Sequence, residues 1–378
     1  MRATVVGCGE MGEAAVRDLC EYGGFDHIVL ATRSPERART LLRDLDDRSP
    51  RLSFEAIRIE DGALLEQVLR GSAVAVNCAG PNYKHEVAVA RAAIAAKVPL
   101  VDLNDDYETT YEMLDLDRAA REAGILIVLG LGASPGLNNV LVRAAADQLD
   151  AVEEIHTAWV MSAADPGGPA LAYHLIHSLS ENAYTVEDGR RIQVRSFEAG
   201  RERLEFPEPV GVVDVFHIGH PEPITLFRTF PGARHVCDKA TFLPEVVNEW
   251  IVSLGRLQRE AQGPIELEGR AVSAEDFAAA TLRRKCKSLP NVRPEGALRV
   301  EVVGRAGGKR RHVHFTSAGR IAQGTGIPAS AGAILLAQGK VRGTGVEPPE
   351  ACLDATEFLH ELFTRRRAGL LNGWVEDE

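Results

Sequence analysis

Short apolar runs alternate with amphipathic segments along the first third of the chain. Ala3–Val6, His27–Ala31 and Val74–Asn77 have the length of strands, and a segment with helical periodicity follows each of them. Alternation at this spacing predicts β-α-β units and a parallel sheet. The wholly apolar run Ile125–Leu129 is typical of a strand that helices cover on both faces. The pattern therefore predicts an α/β domain with a doubly wound parallel sheet.

The pattern changes after Pro135-Gly136. Longer alternating segments, such as Glu154–Val160 and Leu298–Val303, predict a second α/β domain with a mixed or antiparallel sheet. Helical segments return near the end of the chain, over Pro328–Gln338 and Asp354–Thr364. We therefore expect one domain to contain residues 1–133 with 325–378, and the other to contain residues 134–324.

A glycine-rich turn follows the first strand and opens the first helix. Gly7, Gly9 and Gly12 have the G-x-G-x-x-G spacing, which in this context predicts a Rossmann domain that binds a dinucleotide. The first glycine permits the tight turn, the second lets the pyrophosphate approach, and the third lets helix and strand pack closely. We expect the backbone here, including Glu10 and Met11, to face the phosphates. A tight turn without a ligand is the alternative.

The end of the second strand selects the cofactor. NAD-binding versions carry an acidic residue there, whereas this chain has Thr32, Arg33 and Ser34. A guanidinium can pair with a 2′-phosphate, and two hydroxyls can donate to it. We therefore expect NADP(H), with NAD(H) as a possible second cofactor. Arg33 could instead stack on the adenine of either.

A second loop follows the fourth strand. Ligands of open parallel sheets bind beyond the carboxyl ends of the strands. We therefore expect Asn77, Cys78, Ala79 and Gly80 beside the nicotinamide ribose and Pro81 beside the substrate. A plain strand-to-helix turn is the alternative.

Composition narrows the class of protein. The 378 residues carry a net charge of −11 and no long basic run, so we expect no nucleic-acid partner. No apolar run approaches the roughly 20 residues of a membrane helix. The six cysteines form no C-x-x-C pair, which favours reduced thiols in a cytoplasmic protein.

Four segments resemble the saccharopine dehydrogenase family, which includes saccharopine reductases and lysine 6-dehydrogenases. They are Val5–Gly12; Val76–Pro81 with Tyr83 and Val101–Leu103; Gly130–Asn139; and Gly324–Ala329 with Gly345–Glu350. The resemblance implies a Rossmann domain with returning C-terminal helices, and an α/β substrate domain that commonly dimerises. It also implies hydride transfer at a C–N bond of an amino acid, through an imine.

Different segments of the chain resemble two different branches of the family. The Thr-Arg-Ser sequence is similar to the NADP-dependent, glutamate-forming branch, while Gly132–Gly136 and the short chain are similar to the lysine 6-dehydrogenases. We therefore expect an NADP(H)-dependent oxidoreductase acting on an amino acid or imine, and a homodimer. A different enzyme that uses NAD(P) transiently, or a non-catalytic NADP-binding regulator, remains an alternative.

Imine chemistry needs a proton and a partner for the substrate carboxylate. Asp102 ends a predicted strand and is our first choice to stabilise or protonate an iminium, although it could be a turn residue. Tyr83 could donate a hydrogen bond or simply pack. His220 could carry a proton near neutral pH, or be an ordinary loop histidine.

Several residues are candidates for substrate binding. Glu222 shares the proline-stiffened loop of His220, and Arg228 or Arg234 could clamp a carboxylate. The backbone at Pro135 and Gly136 opens a helix and could form an anion site. Metal binding is not expected, because His174-x-x-His177, His217-x-x-His220 and His312-x-His314 lack a carboxylate at metal spacing.

Overall fold

A computed structural model describes residues 1–45, 51–165, 167–177, 182–261, 263–290, 292–366 and 371–378. The chain forms two compact units, Met1–Val140 with Ala322–Ala368, and Leu141–Ile321 with Gly369–Glu378. No helix in these described ranges combines the length and the hydropathy of a membrane span.

Eighteen strands are described. In chain order they are β1 (Arg2–Val6), β2 (His27–Thr32), β3 (Arg51–Ala56), β4 (Val74–Asn77), β5 (Leu100–Asp102), β6 (Leu126–Val128), β7 (Ala151–Ser162), β8 (Asn182–Glu187), β9 (Arg190–Arg195), β10 (Glu202–Glu205), β11 (Val212–His217), β12 (His235–Leu243), β13 (Ile265–Leu267), β14 (Arg270–Val272), β15 (Gly296–Ala306), β16 (Lys309–Gly319), β17 (Gly345–Glu347) and β18 (Leu371–Asp377).

The described helices belong to both units, and those of the first unit alternate with its strands. They are α1 (Glu10–Tyr22), α2 (Pro35–Asp44), α3 (Gly62–Leu69), α4 (Asn82–Ala96), α5 (Tyr107–Leu114), α6 (Asp117–Ala123), α7 (Leu137–Ala146), α8 (Gly168–His177), α9 (Glu222–Thr229), α10 (Val246–Glu260), α11 (Ala274–Lys287), α12 (Ile321–Ala337), α13 (Pro349–Cys352) and α14 (Ala355–Leu359), followed by a π-helical turn, His360–Arg365.

The first unit contains the predicted parallel sheet. Its order is β17-β6-β5-β4-β1-β2-β3, and all the pairings are parallel. Apolar side chains of the central strands are buried among helices, as the apolar runs predicted. The prediction of an α/β fold with an N-terminal parallel sheet is confirmed. Strand β17 was not predicted, because three residues beginning with glycine show no periodicity.

The second unit contains a nine-stranded mixed sheet. Its main path is β10-β11-β12-β7-β15-β16-β18, while β8 pairs with β12 and β9. Strands β7 and β12 are parallel and the other pairings are antiparallel, which confirms the predicted second sheet. Strand β18 pairs with β16, so the end of the chain lies in the second unit. The sequence division had assigned these residues to the first domain.

Helix α12 packs closely against α1, the helix that the glycine-rich turn opens. A Cβ atom added to Gly326 would lie 2.5 Å from the Met11 carbonyl oxygen and 2.8 Å from the Ala14 Cβ atom. Only glycine permits this approach without a shift of the backbone. The helix begins at Ile321, seven residues before the predicted start, and continues through Pro328.

A buried ionic network holds the π-helical turn and the residue that follows it against α1. The Arg366 guanidinium lies 3.0 Å from the Asp18 carboxylate, which also accepts a 2.6 Å hydrogen bond from the Ser330 hydroxyl. The same guanidinium donates to the Glu361 carboxylate at 2.6 Å. One cation thus neutralises two carboxylates away from water, and α1 is fixed at its middle as well as at its start.

Replacing Arg366 by methionine should destabilise the first unit by about 3–5 kcal/mol, because Asp18 and Glu361 would be buried without a cation. Chemical denaturation measures the change. Arg118→Met is the matched control, since the exposed Arg118–Glu122 pair should contribute at most ~0.5 kcal/mol. Equal effects of the two substitutions would contradict the role of the network.

Candidate active site

The glycine-rich turn is held by contacts that exclude side chains. Gly7 has φ +94°, and a Cβ atom there would lie 2.7 Å from the carbonyl carbon of Cys78. A Cβ atom at Gly12 would lie 2.2 Å from the Gly7 carbonyl oxygen. The start of α1 is therefore pressed against the ends of β1 and β4. A Cβ atom at Gly9, in contrast, would meet no atom within 4 Å.

The first turn of α1 is suited to an anion. Gly9 is its N-cap residue, and no side chain caps the helix. The Gly9 carbonyl accepts from the Glu13 amide at 2.9 Å, which closes the first helical turn. A helix N-terminus presents N–H groups and a positive dipole end to phosphate. The open space at Gly9 fits the pyrophosphate of a dinucleotide, and Glu10 and Met11 supply backbone of this first turn.

The end of β2 carries exposed positive charge. Thr32 is buried and its hydroxyl oxygen accepts from the Ser34 amide at 3.1 Å, so this hydroxyl shapes the turn. Arg33 is exposed. Sequence reasoning missed Arg37, whose guanidinium lies 3.9 Å from the Glu10 carboxylate. The signal was local, because Pro35 at the start of α2 places Arg37 in its first turn.

The Asn77 side chain organises the loop after β4. It is fully buried, its amide nitrogen donates to the Glu86 carboxylate at 2.9 Å, and its amide oxygen accepts from the Ala79 amide at 3.1 Å. Burial raises the pKa of the Cys78 thiol, which is therefore protonated at neutral pH. Gly80 and Pro81 complete the loop and lead into α4. Asn77 thus sets the loop's shape, the Cys78 amide donates to the Val6 carbonyl at 2.7 Å, and contact of this loop with the nicotinamide ribose stays a prediction.

The start of α4 is attached to the loop that follows β5. The Asn82 side chain donates to the Leu103 carbonyl and to the Asp105 carboxylate, both at 2.8 Å. The Tyr83 amide donates to the Asp106 carboxylate at 2.8 Å. Tyr83 is half-buried beside the Lys84 ammonium. The loop after β4, which was predicted to lie beside the nicotinamide ribose, and the loop after β5 therefore hold each other in place.

Asp102 lies beneath these loops. It is fully buried, and one carboxylate oxygen accepts from the amides of Asn104 at 2.9 Å and Gly130 at 2.7 Å. Its other oxygen has no hydrogen-bond partner in the described residues. Burial raises its pKa to about 7. Burial, and then the charge of Asp102, also raises the pKa of Glu86. This geometry braces the backbone, and a catalytic role for Asp102 stays a prediction.

The predicted anion site at the start of α7 is corrected by the structure. The Gly136 amide donates to the Asn139 side chain at 3.0 Å, and the Leu137 amide donates to the Gly132 carbonyl at 2.9 Å. Pro135 has no N–H group. These amides therefore donate within the protein and are not available to an anion. Substrate binding by Pro135 and Gly136 through other atoms stays a prediction.

The second unit brings His220 and Glu222 together, as their neighbouring positions predicted. His220 Nδ1 lies 3.0 Å from the Glu222 carboxylate and 3.7 Å from that of Asp238. All three residues are at least 98% buried. Both carboxylates face the same ring nitrogen, Nδ1, and an imidazole can exchange a proton with another group through its second nitrogen, Nε2. This His220–Glu222–Asp238 cluster is the candidate site of the second unit.

Asp238 has partners on its own side of the cluster. One of its oxygens accepts from the Thr157 hydroxyl at 2.6 Å and the other from the Trp159 indole at 3.1 Å. Burial and the nearby Glu222 charge raise the pKa of Asp238. The Trp159 ring packs 5.3 Å from the His220 ring. Sequence reasoning missed these residues, because β7 and β12 are distant in the chain and meet only in the sheet.

The two candidate arginines lie at the surface. Arg228 is exposed near the end of α9, whereas Glu222 is buried at its start. Arg234 pairs with Asp188 at 2.9 Å and lines a cavity of about 770 Å³ with Arg143 and Arg305. A substrate contact for Arg228 stays a prediction.

Known proteins match this architecture. Residues 3–128 match the model of the saccharopine dehydrogenase NADP-binding domain family. The N-terminal domain belongs to that family. The carboxyaminopropylagmatine dehydrogenase of Synechocystis is 21% identical over 96% of this chain and 95% of that protein. The apo saccharopine dehydrogenase (L-Glu forming) of Saccharomyces cerevisiae has the same fold, with a TM-score of 0.70, 14% identity and 99% coverage of both chains.

These findings confirm the resemblance stated from the four sequence segments. Residues 3–128 form an NADP-binding domain of this family, and the whole chain has the fold of the yeast protein. Two of the segments meet within the first unit, where the Asn139 side chain donates to the buried Glu350 carboxylate at 3.0 Å. The motifs therefore mark packing contacts as well as the nucleotide site.

Asp102→Asn should flatten the pH dependence of stability. The Asp102 pKa is about 7 in the folded protein and near 3.9 when unfolded, so the folded state alone holds this proton between those values. The free energy of unfolding therefore falls as pH rises from about 4 to 7, by up to ~1.4 kcal/mol per unit. Asparagine keeps the acceptor oxygen and does not titrate.

Urea titrations across this pH range measure the slope. Asp115→Asn, at an exposed position of the same unit, is the control and should leave the slope unchanged. A wild-type slope in the Asp102→Asn variant would show that this carboxyl group does not titrate as described.

Proposed function

We propose that the protein is an NADP(H)-dependent oxidoreductase acting on a C–N bond of an amino acid or imine. The observation that carries the proposal is the open, uncapped start of α1 beside an exposed arginine at the end of β2, in a domain of this family. The first feature suits a pyrophosphate and the second suits a 2′-phosphate.

The residues of the first unit would hold the cofactor. The backbone from Gly7 to Gly12 would contact the pyrophosphate, and Arg33 would pair with the 2′-phosphate. Arg37 could share that charge, since it already reaches the Glu10 side chain. The loop from Asn77 to Gly80 would contact the nicotinamide ribose. When bound, NADP(H) supplies or accepts the hydride.

The His220–Glu222–Asp238 cluster would handle the proton. Reduction of an imine leaves an amine, and the nitrogen gains a proton as the carbon gains the hydride. The Glu222 carboxylate, 3.0 Å from Nδ1, stabilises the protonated imidazole and orients the ring. Asp238, held by Thr157 and Trp159, places a second carboxylate 3.7 Å from the same Nδ1 atom.

The substrate class rests on the family. The Synechocystis relative is named a carboxyaminopropylagmatine dehydrogenase, and the yeast protein a saccharopine dehydrogenase that forms L-Glu. We propose an amino acid or its imine as the substrate. A screen of amino acids and cyclic imines against NADPH and NADH, followed by nicotinamide absorbance, tests the reaction. Binding of NADPH without any turnover would favour a regulator.

Arg33→Asp should reverse the cofactor preference. The substitution removes a charge-assisted contact and places a carboxylate against the 2′-phosphate, so NADPH affinity should fall roughly 10–100-fold. NADH affinity should change little or rise. Titration of nicotinamide fluorescence measures both. Arg43→Asp, an exposed position later in α2, is the control with the same change of charge. An unchanged ratio of affinities would exclude Arg33 as the selective residue.

His220→Asn should lower kcat by roughly 10²–10⁴-fold and remove the matching limb of its pH profile, because the proton carrier is lost. The NADPH dissociation constant should stay at the wild-type value, which also reports a folded first unit. His235→Asn, on β12, is the control, since His235 pairs with Glu187 outside the cluster. Wild-type kcat and pH profile in the His220 variant would contradict the assignment.

A further inference from the structure

A second group of histidines lies on one face of the nine-stranded sheet. Glu301 of β15 is paired in register with His314 of β16, and His312 lies two residues before His314 on the same face. The His312-x-His314 spacing has no carboxylate nearby in sequence. The neighbouring strand supplies it, which removes the reason for which metal binding was not expected here.

The three side chains converge. His312 Nδ1 lies 2.9 Å from one Glu301 carboxylate oxygen, and His314 Nδ1 lies 3.8 Å from the other. One ligand atom from each residue lies within 4.8 Å of the other two. A tetrahedral Zn²⁺ with ligands about 2.0–2.1 Å away separates neighbouring ligand atoms by about 3.3 Å. Small side-chain rotations would reach this geometry.

The imidazole nitrogens of His314 are left without hydrogen bonds. Neither Nδ1 nor Nε2 has a partner in the described part of the chain, although His314 is 96% buried. A buried polar atom without a hydrogen-bond partner destabilises a protein, and binding of an ion satisfies such an atom.

Neighbouring aromatic rings hold the His314 ring in place. It stacks on Trp374 of β18, with ring centroids 4.7 Å apart and 6° between the planes. The His312 and His314 rings also stack on each other, with centroids 6.0 Å apart and 20° between the planes. The two imidazoles are therefore nearly parallel, and the indole limits rotation of the His314 ring.

We propose that Glu301, His312 and His314 form a binding site for a divalent late transition metal ion, with Zn²⁺ as the expected ion. Two imidazoles and one carboxylate are a ligand set that zinc uses in proteins, and a fourth position is left for water. The site is separate from the nucleotide-binding turn and from the His220–Glu222–Asp238 cluster, and it does not rest on the proposed function.

Positive charge beside the cluster is compatible with one mode of binding. The Arg299 guanidinium lies 3.6 Å from one Glu301 oxygen, and His156 of β7 is paired in register with Glu301 from the other side. A metal bound through the oxygen that faces His312 leaves the second oxygen to Arg299. The carboxylate therefore binds the metal through a single oxygen atom.

The test uses the untagged, chelator-treated full chain. Isothermal titration with ZnCl₂ should give about one site per chain, and His312→Ala with His314→Ala should weaken it by roughly 100-fold or more, since even outer-shell changes cost 10–100-fold. His360→Ala, at an exposed histidine outside the sheet, is the control and should bind as wild type.

A spectroscopic measurement on the wild-type protein keeps the test valid if the double variant fails to fold. Co²⁺ should give a visible absorption spectrum without a thiolate charge-transfer band, and it should quench the fluorescence of Trp374, which Trp374→Phe would identify. A thiolate band would assign the ion to one of the six free cysteines. That band, an absence of binding, or unchanged affinity in the folded double variant would overturn the proposal.

Discussion

The close contact between the start of α1 and the ends of β1 and β4 is the constraint on which the nucleotide site depends. No side chain fits between Gly12 and the Gly7 carbonyl, or between Gly7 and the Cys78 backbone. The missing side chains let the helix begin directly beyond the sheet, with its first turn uncapped and open at Gly9. The dipole and the amide groups of the helix are therefore directed to the mouth of the sheet.

The rest of the first unit keeps α1 in this position. Gly326 allows α12 to approach the first turns of α1, and the Asp18–Arg366 network fixes the middle of the helix. The two contacts involve residues more than 300 positions from α1 in the sequence. The C-terminal segments therefore complete the nucleotide-binding unit, which explains why motifs of the same family lie at both ends of the chain.

Buried ionisable groups are used differently in the two units. Asp102 accepts hydrogen bonds from two backbone amides, and burial raises its pKa to about 7, an arrangement that suits bracing of two loops. Glu222 and Asp238 face an imidazole, where a proton can be exchanged. The difference lies in the partner, because a backbone amide cannot accept or release a proton and a histidine can. It is the reason that we place proton transfer at His220.

The sequence alone determined the features that depend on neighbouring residues. Apolar runs predicted most strands of the parallel sheet, and alternating segments predicted strands of the mixed sheet. Three glycines predicted the nucleotide turn, and the absence of an acid at the end of β2 predicted the cofactor. Each of these is a local property of spacing or residue type. Their positions in the structure follow directly, because the turn, the strand and the helix that use them are continuous in the chain.

Tertiary structure alone decided the features that depend on distant residues. Asp238 meets Thr157 through strand pairing, Glu301 meets His314 in the same way, and the amides of Gly136 and Leu137 prove to be engaged within the fold. Register across a sheet and the satisfaction of backbone donors are properties of packing. No local pattern encodes them, since each partner is chosen only when the chain has folded.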